Sequence, residues 1–328
     1  MTALTARVET PPAPAAQRHR FDAFGLRVDC AWHAPGSRPL ADDEQLPAPA
    51  TTVRLLARAE IDALWAAPGE RIFEPAYPDG RTRFTVDHAP SGYRLWFEGF
   101  GRYAVSADGA EIGCESSDLP NAMRERFLCA QALPLAAALQ GFELMHASGV
   151  CAGGGVAAFV GASGLGKTSI AIRLVLRGRG FVTDDVLALR PGPDGPLVHP
   201  GPPFMAVPEA DKSLIEDGRG PLGPGVGVSD KVHASPSTPG RALPLRAIFH
   251  LETGPALTVS ELDGGDVHRL LASGFAPYLM TPERLRRHLE MTEMVASVVG
   301  QFRLQVPRTN RLDAIADTIE ARLRELEV

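Results

Sequence analysis

Lysine is nearly missing from this chain. Lys167, Lys212 and Lys231 stand alone among 33 basic residues, so arginine carries almost all the positive charge. No basic excess is left over. The 39 acidic residues bring the formal charge to −6, which gives nucleic acid and anionic membranes no place among the expected partners. No apolar run approaches the ~20 residues of a membrane span. The Ala-, Pro- and Thr-rich residues 1–20 lack the apolar core of a signal peptide and are expected to form a disordered tail. Cysteine is scarce too. Cys30, Cys114, Cys129 and Cys151 form no CxxC pair and no zinc spacing, so reduced thiols in a cytoplasmic protein are expected.

Against that background the stretch around Lys167 stands out. Gly161, Ala162, Ser163, Gly164, Leu165, Gly166, Lys167 and Thr168 fit the phosphate-loop pattern G-x-x-x-x-G-K-[ST], with Ser169 following. Glycines let consecutive N–H groups curl inward toward phosphate oxygens, and the helix that follows adds the positive end of its dipole. Lys167 can reach the β- and γ-phosphates, and the Thr168 hydroxyl can bind Mg²⁺. The context fits: residues 156–160 are an apolar strand candidate, and Ile170, Leu174 and Val175 stripe a helix ending near residues 178–180. A lysine kept here, where arginine serves elsewhere, suits a site wanting a compact ammonium.

Residues 181–189 then read as a strand interrupted by Asp184 and Asp185, only 17 residues beyond Lys167. Adjacent strand residues point to opposite faces, so both carboxylates reach one site only if the backbone bends there. Residues 145–150 (MHASGV), the GASGLGKTS loop and RGRGFVTDDVLAL together resemble HPr kinase/phosphorylase and its broader relatives. The likeness is strongest over residues 143–190. It implies an α/β fold with a phosphate-loop nucleotide-binding domain of the HPr kinase and phosphoenolpyruvate carboxykinase type. It also implies ATP and Mg²⁺ as cofactors, His146 beside the acceptor, Asp184 as general base, Asp185 on the metal, and an oligomeric assembly. Pro239-Gly240-Arg241 loosely resembles the family's PGRN element, which would bring Arg241 to the transferring phosphate. The family's RGIG-containing segment has no counterpart, residues 190–203 being Pro/Gly-rich instead. A closer likeness is to HPr-kinase-like proteins encoded near ribosomally made peptides, including lasso-peptide tailoring kinases.

Residues 21–117 read as a β-rich N-terminal domain with strand candidates near residues 26–32, 51–57, 81–88, 93–98, 103–106 and 111–114. Its aromatics, from Trp65 to Phe100, suit a sheet core first and a peptide-binding face second. Residues 118–328 form the expected kinase domain. It opens on a helix kinked at Pro134, followed by a β run over 143–151 and a glycine hairpin at 153–155. Residues 190–245 read as loops, from which Lys212, Lys231 and Arg241 are candidates to neutralise phosphate charge. Residues 245–251 and 256–262 read as a β pair, residues 282–299 as a helix, 302–306 as a strand, and Leu312 to Leu326 as a striped terminal helix.

The expected function is transfer of the γ-phosphoryl group of ATP to a Ser or Thr hydroxyl of a peptide or small protein. The alternatives are a kinase for a small metabolite such as free serine, and a nucleotide-binding regulatory module without transfer activity.

Overall fold

Every residue of the strand Gly155–Val160 is buried, because the apolar run has helices on both sides to cover it. Ala157 and Phe159 face one layer, with Ile170, Leu174 and Val175 of the helix Lys167–Leu176 and Ile315, Ile319 and Leu323 of the terminal helix Leu312–Leu326. Val156, Ala158 and Val160 face the other, with Met291 and Val295 of the helix Pro282–Val298. The computed structural model describes residues 18–39, 49–116, 120–215, 220–223, 225–228, 231–262, 267–279, 281–307 and 312–326.

This central sheet runs in the order Glu143–Met145, Leu187–Gly192, Gly195–His199, Leu243–Thr253, Gly155–Val160, Ala147–Ala152, Phe181–Thr183. The long strand Leu243–Thr253 is parallel to both Gly155–Val160 and Gly300–Val306. Here the structure corrects the sequence. The expected pairing of 245–251 with 256–262 does not form. Gly300–Val306 pairs with Leu243–Thr253 on one side and with Thr258–Glu261 on the other. The Pro/Gly-rich stretch expected as loops also carries strands, including Gly195–His199, Met205–Val207 and Lys231–Ala234.

The N-terminal sheet runs in the order Arg38–Pro39, His19–Ala23, Leu26–Cys30, Ala50–Leu56, Glu111–Glu115, Gly101–Ser106, Gly92–Phe97, Phe84–Ala89, Glu70–Phe73. Of the expected tail, residues 1–17 lie outside the described residues, while His19 and Arg20 already pair with Cys30 and Asp29. The helix Arg58–Ala66 carried no sequence signal, since Ile61 is its one buried residue.

Residues 121–139 are helical, and the regular α-helix is interrupted just before Pro134. A π-turn at Leu128–Ala132 lets the Leu133 N–H reach the Leu128 carbonyl, and Pro134 falls in the first turn of Leu133–Leu139, where its missing N–H costs least. One buried cluster joins this helix to the N-terminal sheet. Phe127, Leu128 and Leu135 pack with Val53, Leu95, Tyr103 and Ile112, and the cluster continues through Leu144 to Val186, Ala188 and Leu279.

Candidate active site

The two-residue turn Gly153–Gly154, both residues at positive φ, folds Ala147–Ala152 back antiparallel on Gly155–Val160. The chain then leaves the strand through the loop 161–166 into the helix Lys167–Leu176. Gly164 and Gly166 have φ of 84° and 92°, and neither has an atom within 4 Å of where a Cβ would stand. Glycine is needed there for its backbone, and the space above stays open. Lys167 is buried and turns its ammonium back over the loop. Nζ donates to the Gly161 carbonyl at 2.9 Å and the Ala162 carbonyl at 3.4 Å. Burial lowers its pKa, against the nearby charges of Asp185 and Asp184. A cavity of about 390 Å³ opens beside this loop, bordered by His146, Gly161, Ala162, Ser163, His250 and Arg269.

Three elements converge on Asp184. Its Oδ1 accepts from the Thr168 hydroxyl at 2.8 Å and from the Ser148 hydroxyl at 2.7 Å, and its Oδ2 accepts from the Ala206 N–H at 3.1 Å. Burial first, then the charge of Asp185, pushes the carboxyl up to about 6, against the three hydrogen bonds. Asp185 supplies the bend that the sequence demanded. Its φ is 64°, a left-handed conformation that costs a non-glycine residue about 1 kcal/mol or more. The Val186 N–H bonds the Asp184 carbonyl at 2.8 Å, and the Thr183 hydroxyl donates to the Val186 carbonyl, closing the turn. Asp185 is left exposed.

His146 occupies the break between Glu143–Met145 and Ala147–Ala152, which splits the single β run expected there. Its N–H bonds the Ser273 carbonyl at 2.6 Å. Its Nδ1 lies 2.9 Å from the Asp185 carbonyl, so Nδ1 carries the proton and donates. Burial, then the charge of Lys167, lowers its pKa, which makes it a neutral imidazole near pH 7. It therefore holds the backbone of Asp185 and not the carboxylate of Asp184.

On the far side of the aspartates lies a smaller cavity of about 200 Å³, bordered by Asp184, Asp185, Phe97, Phe100, Arg83, Arg126, Phe204 and His233. Phe97 and Phe100 thus belong to this rim, while Phe84 and Tyr93 are buried in the sheet core. Arg83 stacks over Tyr77 and Phe97, and Arg126 over Phe100.

The loop residues, Thr168, Asp184, Asp185 and His146 are brought together as the sequence suggested. Arg241 is not with them. It lines a different cavity. Lys212 pairs with Glu209 on the surface. Lys231 opens the strand Lys231–Ala234, and its side chain lies outside the described residues. Sequence reasoning assigned no role to Ser148 or the Ala206 N–H. Ser148 had a signal, being a lone hydroxyl in a buried apolar strand, whereas a backbone donor from a distant strand has none.

Among the described residues no group of three or more His, Cys, Asp or Glu side chains is placed to hold a metal ion. The Thr168 hydroxyl and the two carboxylates nonetheless fit Mg²⁺, which takes oxygen ligands and needs only one or two protein carboxylates beside phosphate oxygens. No helix of the described residues is long and apolar enough to cross a membrane.

The sequence matches no protein-family model and no curated protein. Among solved structures, the Hpr(Ser) kinase/phosphatase from Coxiella burnetii is similar at 12% identity, over 56% of this chain and 93% of that chain, with a TM-score of 0.31.

Proposed function

We propose that this chain is an ATP-dependent kinase that passes the γ-phosphoryl group to a Ser or Thr hydroxyl of a peptide or small protein. The observation that carries the reading is the contact of Thr168, at the start of the loop's helix, with Asp184, beside an Asp185 turned toward a second cavity. In this reading the loop 161–168 would take the phosphates, and the cavity bordered by Asp184 and Asp185 would take the acceptor. Phosphoryl transfer needs little more than this positioning and charge neutralisation.

The loop N–H groups and Lys167 would hold the phosphates. Mg²⁺, when bound, would neutralise charge developing on them, with Thr168 and Asp184 as its protein contacts. The sequence reading gave Asp185 to the metal and Asp184 to the base. The hydrogen bonds favour the exchange. Asp184 already accepts three bonds and steadies Thr168, while Asp185 is exposed, with its backbone fixed by His146. Asp185 is then the group free to take the acceptor's proton.

A cavity of about 200 Å³ suits one residue at a time, which also favours a second reading, a kinase for a small hydroxyl metabolite such as free serine. Lys167→Ala should remove nucleotide turnover by about 10³-fold with circular dichroism unchanged. Asp185→Asn should keep Mg-ATP affinity and lose transfer by roughly 10²- to 10⁴-fold. Transfer assays against free serine and against Ser-containing peptides choose between the acceptors. Full turnover in a folded Lys167→Ala protein would end the kinase reading.

A further inference from the structure

A third cavity, of about 780 Å³, lies between the N-terminal sheet and the segment 235–242. It is a separate space. Ala23 and Gly25 of the turn between His19–Ala23 and Leu26–Cys30 face it, whereas Phe24 of the same turn faces the cavity of Asp184 and Asp185. The turn is a firm partition. Phe24 and Gly25 both have positive φ, Phe24 is buried, and its N–H bonds the Pro200 carbonyl at 2.7 Å.

Its lining is basic. Arg27, Arg190 and Arg241 come from three separate places in the chain and meet around one space, with His199 beside them. Among the described residues the one carboxylate there, Asp22, is taken up by Arg27 at 3.3 Å. Arg190 is fixed in place, its guanidinium 3.9 Å over the Phe142 ring and donating to the Gln140 carbonyl at 2.8 Å. Partial burial, then the charge of Arg287, lowers its pKa. His199 packs edge-on against the same ring, 5.0 Å between centroids. Burial, then the charges of Arg190 and Arg27, hold its imidazole down to about 4. Ser235, Ser237 and Thr238 add hydroxyls at the rim.

Like charges converging on a concave space repel one another and raise its potential for an anion. Planar guanidinium forks match the two oxygens of a carboxylate or phosphate. We propose that this cavity is a binding site for a small molecule carrying an oxyanion, a phosphate or a carboxylate, distinct from the nucleotide loop. The proposal does not depend on the kinase reading, and it gives Arg241 a ligand of its own.

The test is calorimetric titration of the full chain with inorganic pyrophosphate and with citrate. It is run in wild type and in Lys167→Ala, where the loop keeps its N–H groups but has lost its cation, so that its anion binding is weakened. Saturable binding of either anion by Lys167→Ala is expected, weakened about tenfold or more by adding the surface change Arg241→Glu. Binding of pyrophosphate alone marks a phosphorylated ligand, and of citrate alone a carboxylate. A second readout is the His199 ring, followed by NMR. Its pKa, about 4 in the free protein, should climb when the anion is bound, since the negative charge offsets Arg190 and Arg27. No saturable binding of either anion at millimolar concentration overturns the proposal. So does binding that neither Arg241→Glu nor the His199 titration registers.

Discussion

Asp184 is held as a carboxylate where burial works against its charge. Its folded pKa, about 6, lies above the ordinary 3.8, so folding favours the protonated form. The sign follows from that. Below about pH 4 the group costs nothing, and stability falls as pH rises through about 6 while the buried carboxyl ionises. Asp184→Asn removes the ionisation while keeping groups for Ser148, Thr168 and Ala206 to bond. Melting curves from pH 4 to 8 should therefore show the variant gaining on wild type, from near parity at pH 4 to an advantage on the order of 1–3 kcal/mol at pH 8. A constant difference would mean the carboxylate is not strained by burial. Stability and the proposed Mg²⁺ binding would pull opposite ways here. A carboxyl raised by burial is brought back to its ionised form by a bound cation.

At the scale of elements, the helix at residues 121–139 belongs by packing to the N-terminal sheet. Leu135, Ala136 and Ala137 are fully buried, and Phe127 packs against Tyr103 with ring centroids 4.5 Å apart. The division near residue 117, drawn where strand patterns give way to a helical one, runs between a sheet and the helix that covers it. A chain beginning at residue 118 would expose Phe127, Leu128 and Leu135. It is expected to aggregate or to bind a hydrophobic dye strongly, as checked by gel filtration and dye fluorescence. A milder form of the same test is Leu135→Ala, which should cost about 2–5 kcal/mol in denaturant unfolding. A soluble, monomeric, ATP-binding truncation would restore the division.

At the scale of the whole molecule, the aspartates face a cavity whose other wall comes from the N-terminal half, through Arg83, Phe97 and Phe100. We propose that this half selects the acceptor and leaves nucleotide binding to the loop. Arg83→Ala should then raise the KM for the acceptor about tenfold while Mg-ATP affinity, measured by titration with a fluorescent analogue, stays put. Equal loss of both would assign Arg83 to the fold and not to acceptor choice.

The strand–turn–helix setting of residues 156–176 was legible in the sequence because its signals are local. Glycines at 164 and 166, a lysine at 167 and a hydroxyl at 168 act within one strand–turn–helix unit, and spacing alone places them. The buried helices were legible for the same reason, since Ile315, Ile319 and Leu323 recur at the period of one element. The bend at Asp184 and Asp185 could be demanded from alternation but not described. Only folding showed that Asp185 takes a left-handed φ and that His146 holds its carbonyl. Partners that come from far along the chain left no local mark. Ser148, Thr168 and Ala206 meet Asp184 because a strand of the central sheet, the helix after the loop and a strand of a separate three-stranded sheet all approach it. The same holds for Arg241, which a three-residue likeness sent to the phosphate and the fold placed beside Arg27 and Arg190. Local sequence determines which backbone a segment prefers. Which side chains then share a space depends on strand order, and strand order is decided by how all the apolar faces are buried at once.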